Sequence, residues 1–193
     1  MIKTIAELRR DIHFDTELAG HHFSFSTTWG LFSPRAVDAG SRLLVEHISV
    51  QPNARILDIG CGYGAIGLAL ARCAPHGSVD LVDTNYVAVA YAQKNAEQNH
   101  ITNCHIFLSN LFSEIPKDMQ FDHIVSNVPA KAGNELFTLL LLESFAHLSP
   151  GGTLSIVSLS GLKEYFKRTM KEIFGNYEKI KQGSTYTVAQ SVK

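Results

Sequence analysis

The sequence predicts an α/β protein with a Rossmann-like, doubly wound and mostly parallel seven-stranded sheet. From residue 54 onward, short apolar runs alternate with helix-length segments, a rhythm that is typical of strand–helix–strand units. The last two predicted strands lie close together around Gly183, so they can be joined only as an antiparallel hairpin. We therefore expect a parallel sheet that ends in an antiparallel C-terminal hairpin.

The individual elements follow from local patterns. The alternation of Phe23 and Phe25 predicts a short strand at 21–25, and a helix is expected at 38–48. Its inward residues are predicted to be Ala39, Leu43, Leu44, His47 and Ile48. The core is predicted to comprise strands 54–59, 78–83, 104–108, 121–126 and 153–159, helices at about 65–74, 86–99, 134–148 and 162–174, a turn at 149–152 and a strand pair within 176–190.

Length and composition indicate one domain. The chain has 193 residues, of which 45% are hydrophobic, enough for one well-buried core and short for two. Residues 51–193 are predicted to form the core, and residues 1–50 an N-terminal extension of the same domain with a loop and helix that cover the cofactor. The net charge of −1 gives no global basic field, so any RNA partner requires a local patch.

Several classes of protein are not favoured. The three cysteines show no CxxC spacing and the histidines no ligand spacing, so no metal site is expected. The amino terminus has no apolar signal region, and the longest apolar stretch, 139–142, is far below a spanning length. We expect a cytoplasmic protein without a membrane partner, and its oligomeric state is not indicated.

The sequence DIGCGYGAIG at 58–67 is the predicted cofactor loop. An apolar strand that breaks into glycines before a helix presents backbone N–H groups to a nucleotide-like ligand. Two registers of this loop fit the dinucleotide fingerprint, so the pattern alone does not choose between NAD and S-adenosylmethionine. Asp58 favours the second ligand, because its charge would repel a pyrophosphate and attract a sulfonium or an ammonium group.

Asp83 is the second candidate, at the carboxyl end of the next predicted strand. An acid at this edge of the sheet can accept hydrogen bonds from both ribose hydroxyls of an adenosine. The alternative is that Asp83 caps the helix that follows, although Thr84 or Asn85 can cap it instead.

These motifs together resemble the methyltransferase small-domain family. The residues that carry the resemblance are Phe32-Ser33, Asp38-x-Gly40-Ser41-x-Leu43-Leu44, the loop at 58–67, Asp83-x-Asn85 and the turn at 127–133. The family includes bacterial guanine-N2 methyltransferases of ribosomal RNA and short archaeal single-domain relatives. The resemblance covers about residues 21–190 and implies a class I methyltransferase that uses S-adenosylmethionine. Its implied substrate is the exocyclic amino group of guanine in ribosomal RNA.

The resemblance also implies a set of cofactor-binding residues. Asn110 follows the third strand of the core, where many relatives have an acid that touches adenine; the alternative is that it is only a turn residue. The implied cofactor-binding residues are Asp58, Gly60, Cys61, Gly62, Gly64, Asp83, Thr84, Asn85, Asn110, Leu111, Phe32 and Ser41.

The turn that begins at Asn127 is the implied catalytic segment. Methyltransferases that act on planar nitrogens have an Asn-Pro-Pro-aromatic turn here, whose carbonyls accept hydrogen bonds from the amino group. Asn127 and Pro129 are kept, whereas Val128 and Ala130 replace the first proline and the aromatic residue. The alternative is a rigid turn without a chemical role. The change also leaves open a small-molecule or protein-amide substrate, or a module that binds the cofactor without transfer.

Three further residues are predicted to bind substrate. Trp29 and Phe32 lie in a loop that either covers the cofactor or packs the N-terminal extension onto the sheet. Because Ala130 cannot stack on a base, Trp29 or Phe32 is expected to line the acceptor pocket opposite Asn127. Lys131 either meets a phosphate backbone or is an isolated surface charge.

Overall fold

The computed structural model describes residues 4–193, so the first three residues of the predicted N-terminal extension lie outside the described residues. The helices are α1 Ile5–Leu8, α2 Ala39–His47, α3 Ala65–Cys73, α4 Tyr86–Gln98, α5 Asn134–His147 and α6 Lys163–Phe174. The strands are β1 Ile12–Leu18, β2 His21–Thr27, β3 Arg55–Ile59, β4 Ser78–Asp83, β5 Cys104–Leu108, β6 Phe121–Asn127, β7 Leu148–Leu159, β8 Glu178–Gln182 and β9 Tyr186–Val192. A short 3-10 helix, Ser160–Leu162, precedes α6.

The central sheet has seven strands in the order β5-β4-β3-β6-β7-β9-β8. The first five are mutually parallel, and β9 is antiparallel to both of its neighbours, β7 and β8. This confirms the predicted Rossmann-like sheet with an antiparallel hairpin. The chain leaves β3 toward one edge and returns on the other side at β6. The carboxyl end of β3 is therefore a topological switch point, where ligands bind in such sheets.

Two hydrophobic cores lie on opposite faces of the sheet, and β3 contributes to both. Ile56 belongs to the core shared with α3 and α4, whereas Leu57 belongs to the core shared with α5 and α6. Successive side chains of a strand point to opposite faces, so the next residue, Asp58, points toward α3. Helices pack on both faces of the sheet, and the carboxyl ends of its parallel strands are the expected place for a site.

The N-terminal region differs most from the predictions. A strand that was not predicted, β1, pairs with β2 as an antiparallel hairpin, and β2 extends two residues beyond the predicted 21–25. The predicted inward face of α2 was partly wrong, because Ala39 and His47 are exposed. The buried residues of this helix are Gly40, Ser41, Leu44 and Val45.

The predicted turn at 149–152 is part of β7. Leu148 already pairs with Phe121, and the register shifts before His123 pairs with Thr153. Gly151 has a φ of +80°, so the turn-like sequence produces an irregularity within a longer strand instead of a break. The remaining core elements begin and end within about two residues of the predicted bounds.

No helix in residues 4–193 combines the length and the apolar composition that crossing a membrane requires. In the same residues, no group of three or more His, Cys, Asp or Glu side chains is arranged to hold a metal ion.

Candidate active site at the carboxyl ends of the parallel strands

Two connected cavities open at the carboxyl ends of the parallel strands. The larger has a volume of about 580 Å³ and extends from the loop after β3 to the ends of β6 and β7. The smaller, of about 130 Å³, lies between the ends of β4, β5 and β6. The residues that line both cavities are Gly60, Asp83, Thr84, Val128 and Pro129. The two cavities therefore form one site with two lobes.

The loop at 60–64 is bonded to the neighbouring strand β4. The N–H groups of Gly60 and Cys61 donate to the carbonyl of Val82 at 2.9 and 3.0 Å, and the N–H of Gly62 donates to Asp83 Oδ2 at 2.9 Å. Gly62 has a φ of +58°, a conformation that strongly favours glycine. Because these N–H groups already have acceptors, the loop is a poor cradle for a pyrophosphate. It suits a ligand that is neutral or positively charged here.

Asp58 lies beneath the loop and lines neither cavity, which corrects the expectation that its carboxylate meets the ligand directly. It is 0% exposed, and its Oδ2 accepts a hydrogen bond from the N–H of Gly67 at 2.7 Å. None of the described residues donates to Oδ1. Burial raises the pKa of Asp58 to about 7, the Gly67 bond opposes this shift, and the nearby Asp83 charge adds to it. The residue fixes the start of α3 instead of facing the cavity.

Asp83 lies where the loop, the helix α4 and both cavities meet. Its Oδ2 accepts from Gly62, and its Oδ1 accepts from the N–H of Asn85 at 2.8 Å. The side chain of Asn85 caps α4 by accepting from the N–H of Val87 at 2.9 Å. Asp83 is therefore not needed as the helix cap, and each carboxylate oxygen retains a lone pair for a ligand. Ribose binding by Asp83 stays a prediction.

Asn110 and Leu111 line the smaller cavity. The backbone N–H of Asn110 donates to Ser113 Oγ at 3.1 Å, and Leu111 has a φ of +51°. The hydroxyl groups of Ser109 and Ser113 hold this turn, so the Asn110 side chain is not required for it. Contact with adenine stays a prediction. Cys61, Thr84, Asn85, Phe32 and Ser41 also line the site, whereas Gly64 lies behind it and packs against Leu68.

Asn127 is the last residue of β6, and its amide nitrogen is held by two hydrogen bonds. Its Nδ2 donates to Asp38 Oδ2 at 3.0 Å and to Ser41 Oγ at 2.9 Å. Because a carboxylate can only accept, the nitrogen of the amide must face Asp38. No described residue donates to Asn127 Oδ1, so this oxygen is available as an acceptor. Pro129 lines the cavity beside Asn127, as the predicted catalytic turn requires.

The N-terminal loop places Phe32 at the cavity and Trp29 outside it. Phe32 is 65% exposed and lines the same cavity as Asn127. Trp29 lines neither cavity, and the guanidinium of Arg35 lies 4.8 Å from its ring centroid. This corrects the inclusion of Trp29 among the residues expected at the acceptor. Lys131 is exposed and also absent from both cavity walls, although Ala130 and Ala132 on either side of it line them.

Asp38 and Tyr186 are among the cavity residues that the sequence did not single out. Asp38 was quoted only as part of a family motif, and Tyr186 was not singled out. Both line the larger cavity, and the hydroxyl of Tyr186 donates to Asp38 Oδ1 at 2.9 Å. The position of Asp38 directly before a helix was a readable signal for capping. No signal in the sequence connects it with Tyr186, which lies 148 residues further along the chain.

The family model for the methyltransferase small domain matches residues 22–190. The chain belongs to this family. It is 34% identical to the Bacillus subtilis protein YbxB, with 91% of this chain and 89% of that protein covered. It is 30% identical to the ribosomal RNA large subunit methyltransferase G of Pectobacterium atrosepticum, with 92% of this chain and 48% of that enzyme covered.

The structural comparison agrees with this assignment. The fold superposes with a TM-score of 0.86 on the Thermus thermophilus 16S rRNA N2 G1207 methyltransferase, solved with AdoMet and guanosine. The two chains are 28% identical, and the match covers 95% of this chain and 50% of that one. This chain thus spans about half the length of the ribosomal RNA methyltransferases that it matches. The class I methyltransferase fold is shared across that half.

Proposed function

We propose that this protein transfers a methyl group from S-adenosylmethionine to the exocyclic N2 amino group of guanine in ribosomal RNA. The observation that supports the proposal best is the fixed amide of Asn127, whose free Oδ1 is an acceptor for an N–H donor at the cavity. The names of two of the similar proteins support the choice of substrate, since both are ribosomal RNA methyltransferases and one was solved with guanosine.

The residues at the site fit S-adenosylmethionine. The N–H groups of Gly60, Cys61 and Gly62 are already bonded, and Asp83 places negative charge beside the loop. A dinucleotide would bring pyrophosphate charge to this place without free N–H donors to receive it. Asp83 would hold the ribose, and the lobe lined by Asn110 and Leu111 would receive the adenine. S-adenosylmethionine supplies an electrophilic methyl group when bound.

The protein contributes alignment to this reaction. Asn127 Oδ1 would accept a hydrogen bond from the amino group, which directs the nitrogen lone pair away from Asn127 and toward the methyl donor. The methyl carbon would exchange its bond to the sulfonium sulfur, which is left as a neutral thioether, for a bond to the nitrogen. The nitrogen would thereby become more acidic and lose its proton to solvent. Leu31 and Phe32 would give the reacting atoms an apolar cavity wall.

Asn127→Ala tests this assignment. We expect turnover to fall by about 100-fold or more, because alignment is lost, whereas affinity for S-adenosylmethionine stays within a few-fold. Turnover and calorimetric affinity are measured on the same preparation. Trp29→Ala is the control, since Trp29 lies outside the cavity. Losses of equal size in turnover and affinity would show that Asn127 holds the cofactor instead.

A second experiment identifies the acceptor. Ala130 lines the cavity and offers no aromatic face to a base, which favours a smaller acceptor as the alternative. Labelled S-adenosylmethionine is incubated with ribosomal RNA, protein extract and small-molecule fractions. Label recovered in N2-methylguanosine supports the proposal. Label in the small-molecule or protein fraction would identify a small molecule or a protein amide as the acceptor. If no fraction is labelled, the protein is a module that only binds the cofactor.

A further inference from the structure

Asp38 lies at the centre of a hydrogen-bond network that joins three distant segments. Its Oδ2 accepts from the N–H groups of Gly40 and Ser41 at 2.8 and 3.2 Å, so it caps α2. The same oxygen accepts from Asn127 Nδ2 at 3.0 Å, and Oδ1 accepts from the hydroxyl of Tyr186 at 2.9 Å. A helix cap alone does not require the contacts with Asn127 and Tyr186.

We propose that Asp38 is a positioning residue that fixes which end of the Asn127 amide faces the substrate and thereby restricts the site to acceptors that carry an N–H donor. The inference rests on the proposed function, because it assumes that Asn127 Oδ1 accepts from the substrate.

The primary amide of Asn127 is nearly symmetric in shape. The oxygen and nitrogen ends of Asn127 have nearly the same size and shape, so packing alone cannot choose between the two orientations. The Ser41 hydroxyl both donates and accepts, so it can bond to either end. In the flipped orientation, Asn127 Oδ1 would face Asp38 Oδ2 at about the present 3.0 Å, and two acceptors would meet. Of the residues that the structure describes, only Asp38 therefore distinguishes the two orientations.

The carboxylate of Asp38 is itself held in place. Burial and the hydrogen bond to Asp38 both raise the pKa of Tyr186, so its hydroxyl stays protonated and donates to Asp38 Oδ1. A side chain at Gly40 would bring its Cβ within 2.9 Å of the Tyr186 ring and 2.8 Å of Asp38 Oδ2. The glycine thus lets the tyrosine reach the carboxylate, which gives a physical reason for the Asp38-x-Gly40-Ser41 pattern.

The orientation determines what the site accepts. With Oδ1 toward the cavity, an amino group is bound through a donated hydrogen bond. In the flipped state, the NH₂ group would face the cavity, and a substrate amino group would meet a second donor. A charged hydrogen bond of the kind that Asp38 makes corresponds to a preference of roughly 10- to 150-fold. Loss of Asp38 is therefore expected to lower the fraction of correctly oriented enzyme.

Two substitutions separate the cap from the positioning. Asp38→Ser keeps a good N-cap acceptor for α2 but is one bond too short to reach Asn127. Asp38→Asn keeps both the reach and an acceptor oxygen toward Asn127, with its NH₂ group turned to the Tyr186 oxygen. Without Asp38 the two orientations of the amide become about equally populated, so we expect Asp38→Ser to lower kcat by about twofold with the Kd for S-adenosylmethionine unchanged. Asp38→Asn should keep kcat close to that of the unmodified protein.

The decisive measurement combines each substitution with Asn127→Ala. If Asp38 acts through Asn127, Asp38→Ser causes no further loss of kcat once Asn127 is alanine. Additive losses, or an Asp38→Ser variant with unchanged kcat, would overturn the proposal while leaving the proposed function intact. Full activity of Asn127→Ala alone would instead remove the proposed function. If Asp38→Ser does not fold, Tyr186→Phe replaces it, with a smaller loss of kcat that must also vanish beside Asn127→Ala.

Discussion

The carboxyl group of Asp58 is fully buried and accepts one hydrogen bond, from the N–H of Gly67. Its pKa is raised from 3.8 to about 7, so the folded protein holds a proton that the unfolded chain releases between these values. More protons are bound in the folded state, and the free energy of unfolding must therefore fall as pH rises from about 4 to 7. Above pH 7 this contribution is constant.

Asp58→Asn should remove this dependence. The amide oxygen can still accept from Gly67, but the side chain no longer titrates. Denaturant unfolding at several pH values between 4.5 and 8 measures the slope, and the exposed Asp118→Asn is the control. Identical slopes for the Asp58→Asn variant and the unmodified protein would mean that Asp58 stays ionised throughout this range.

Asp83 is the residue on which cofactor affinity should depend most. Asp83→Ala removes a charged acceptor from both lobes and frees the N–H of Gly62. We expect affinity for S-adenosylmethionine to weaken by roughly 1.5–3 kcal/mol, or about 10- to 150-fold. Calorimetry on the folded variant measures it. An unchanged Kd would mean that Asp83 holds the loop in place and does not bind the cofactor.

Single residues of the site could be predicted where the sequence shows clearly that a strand ends. Asp83 and Asn127 come directly after apolar runs, and both strands do end there, at the cavity. Asp58 was misplaced, because an acid one residue before the end of a strand points to the opposite face from its neighbours. The bond between Asp38 and Tyr186 could not be predicted, since it depends on how β9 inserts beside α2.

The loop that connects β2 to α2 is the element expected to govern acceptor binding. Its Phe32 is exposed at the cavity that contains Asn127, while Trp29 lies outside. Phe32→Ala should raise the KM of an RNA acceptor by roughly 5-fold or more, since stacking on an aromatic face is worth about 1–3 kcal/mol. Steady-state kinetics compare it with Trp29→Ala, which should change KM little. A larger effect from Trp29 would show that the loop adopts another arrangement with substrate.

At the scale of elements, the prediction succeeded where periodicity was strong and failed where polar residues interrupted it. Strand β4 matches its predicted bounds at both ends, because its apolar run is bounded by clear turn residues. Strand β1 was missed, although Phe14 and Leu18 alternate with exposed Asp15 and Glu17. Its inner face packs on a hairpin partner and a helix instead of the main sheet, so its apolar signal is weak.

For the molecule as a whole, the hairpin β1–β2 is joined to the core by Asn95. This side chain on α4 is 0% exposed; it accepts from the N–H of Ser26 at 2.7 Å and donates to the carbonyls of Ser26 and Tyr63 at 3.0 and 2.9 Å. Three backbone groups depend on it. Chain length and composition led to the prediction that residues 1–50 belong to the same domain as the core, and it stays a prediction.

Asn95→Ala should lower the free energy of unfolding by about 3 kcal/mol, because it leaves buried backbone groups without partners. Unfolding should remain a single transition that is shared by the hairpin and the core. The control is Gln98→Ala, which contacts the same strand from an exposed position and should cost less than about 1 kcal/mol. Two separate transitions in the unmodified protein would instead divide the chain into two domains.

The doubly wound, mostly parallel sheet could be anticipated from the strand–helix rhythm, because right-handed crossovers leave few arrangements. The packing of the hairpin β1–β2 on α4 could not be anticipated. It depends on side-chain bonds such as those of Asn95 and Asn99 to β2, which lie about 70 residues away in sequence. Nothing in the local pattern of either segment indicates its partner.

Tyr63, in the glycine loop at 60–64, packs against aromatic side chains of the hairpin β1–β2. Its ring centroid lies 5.5 Å from that of Phe25 and 6.1 Å from that of Phe14, and its hydroxyl donates to the carbonyl of Ala36. A ligand that holds the loop still must also hinder the opening of β1 and β2, although no residue of those two strands lines either cavity. Amide hydrogens of the hairpin should then exchange with solvent more slowly when the loop is occupied. The hairpin would thus report on occupancy of a site that it does not touch.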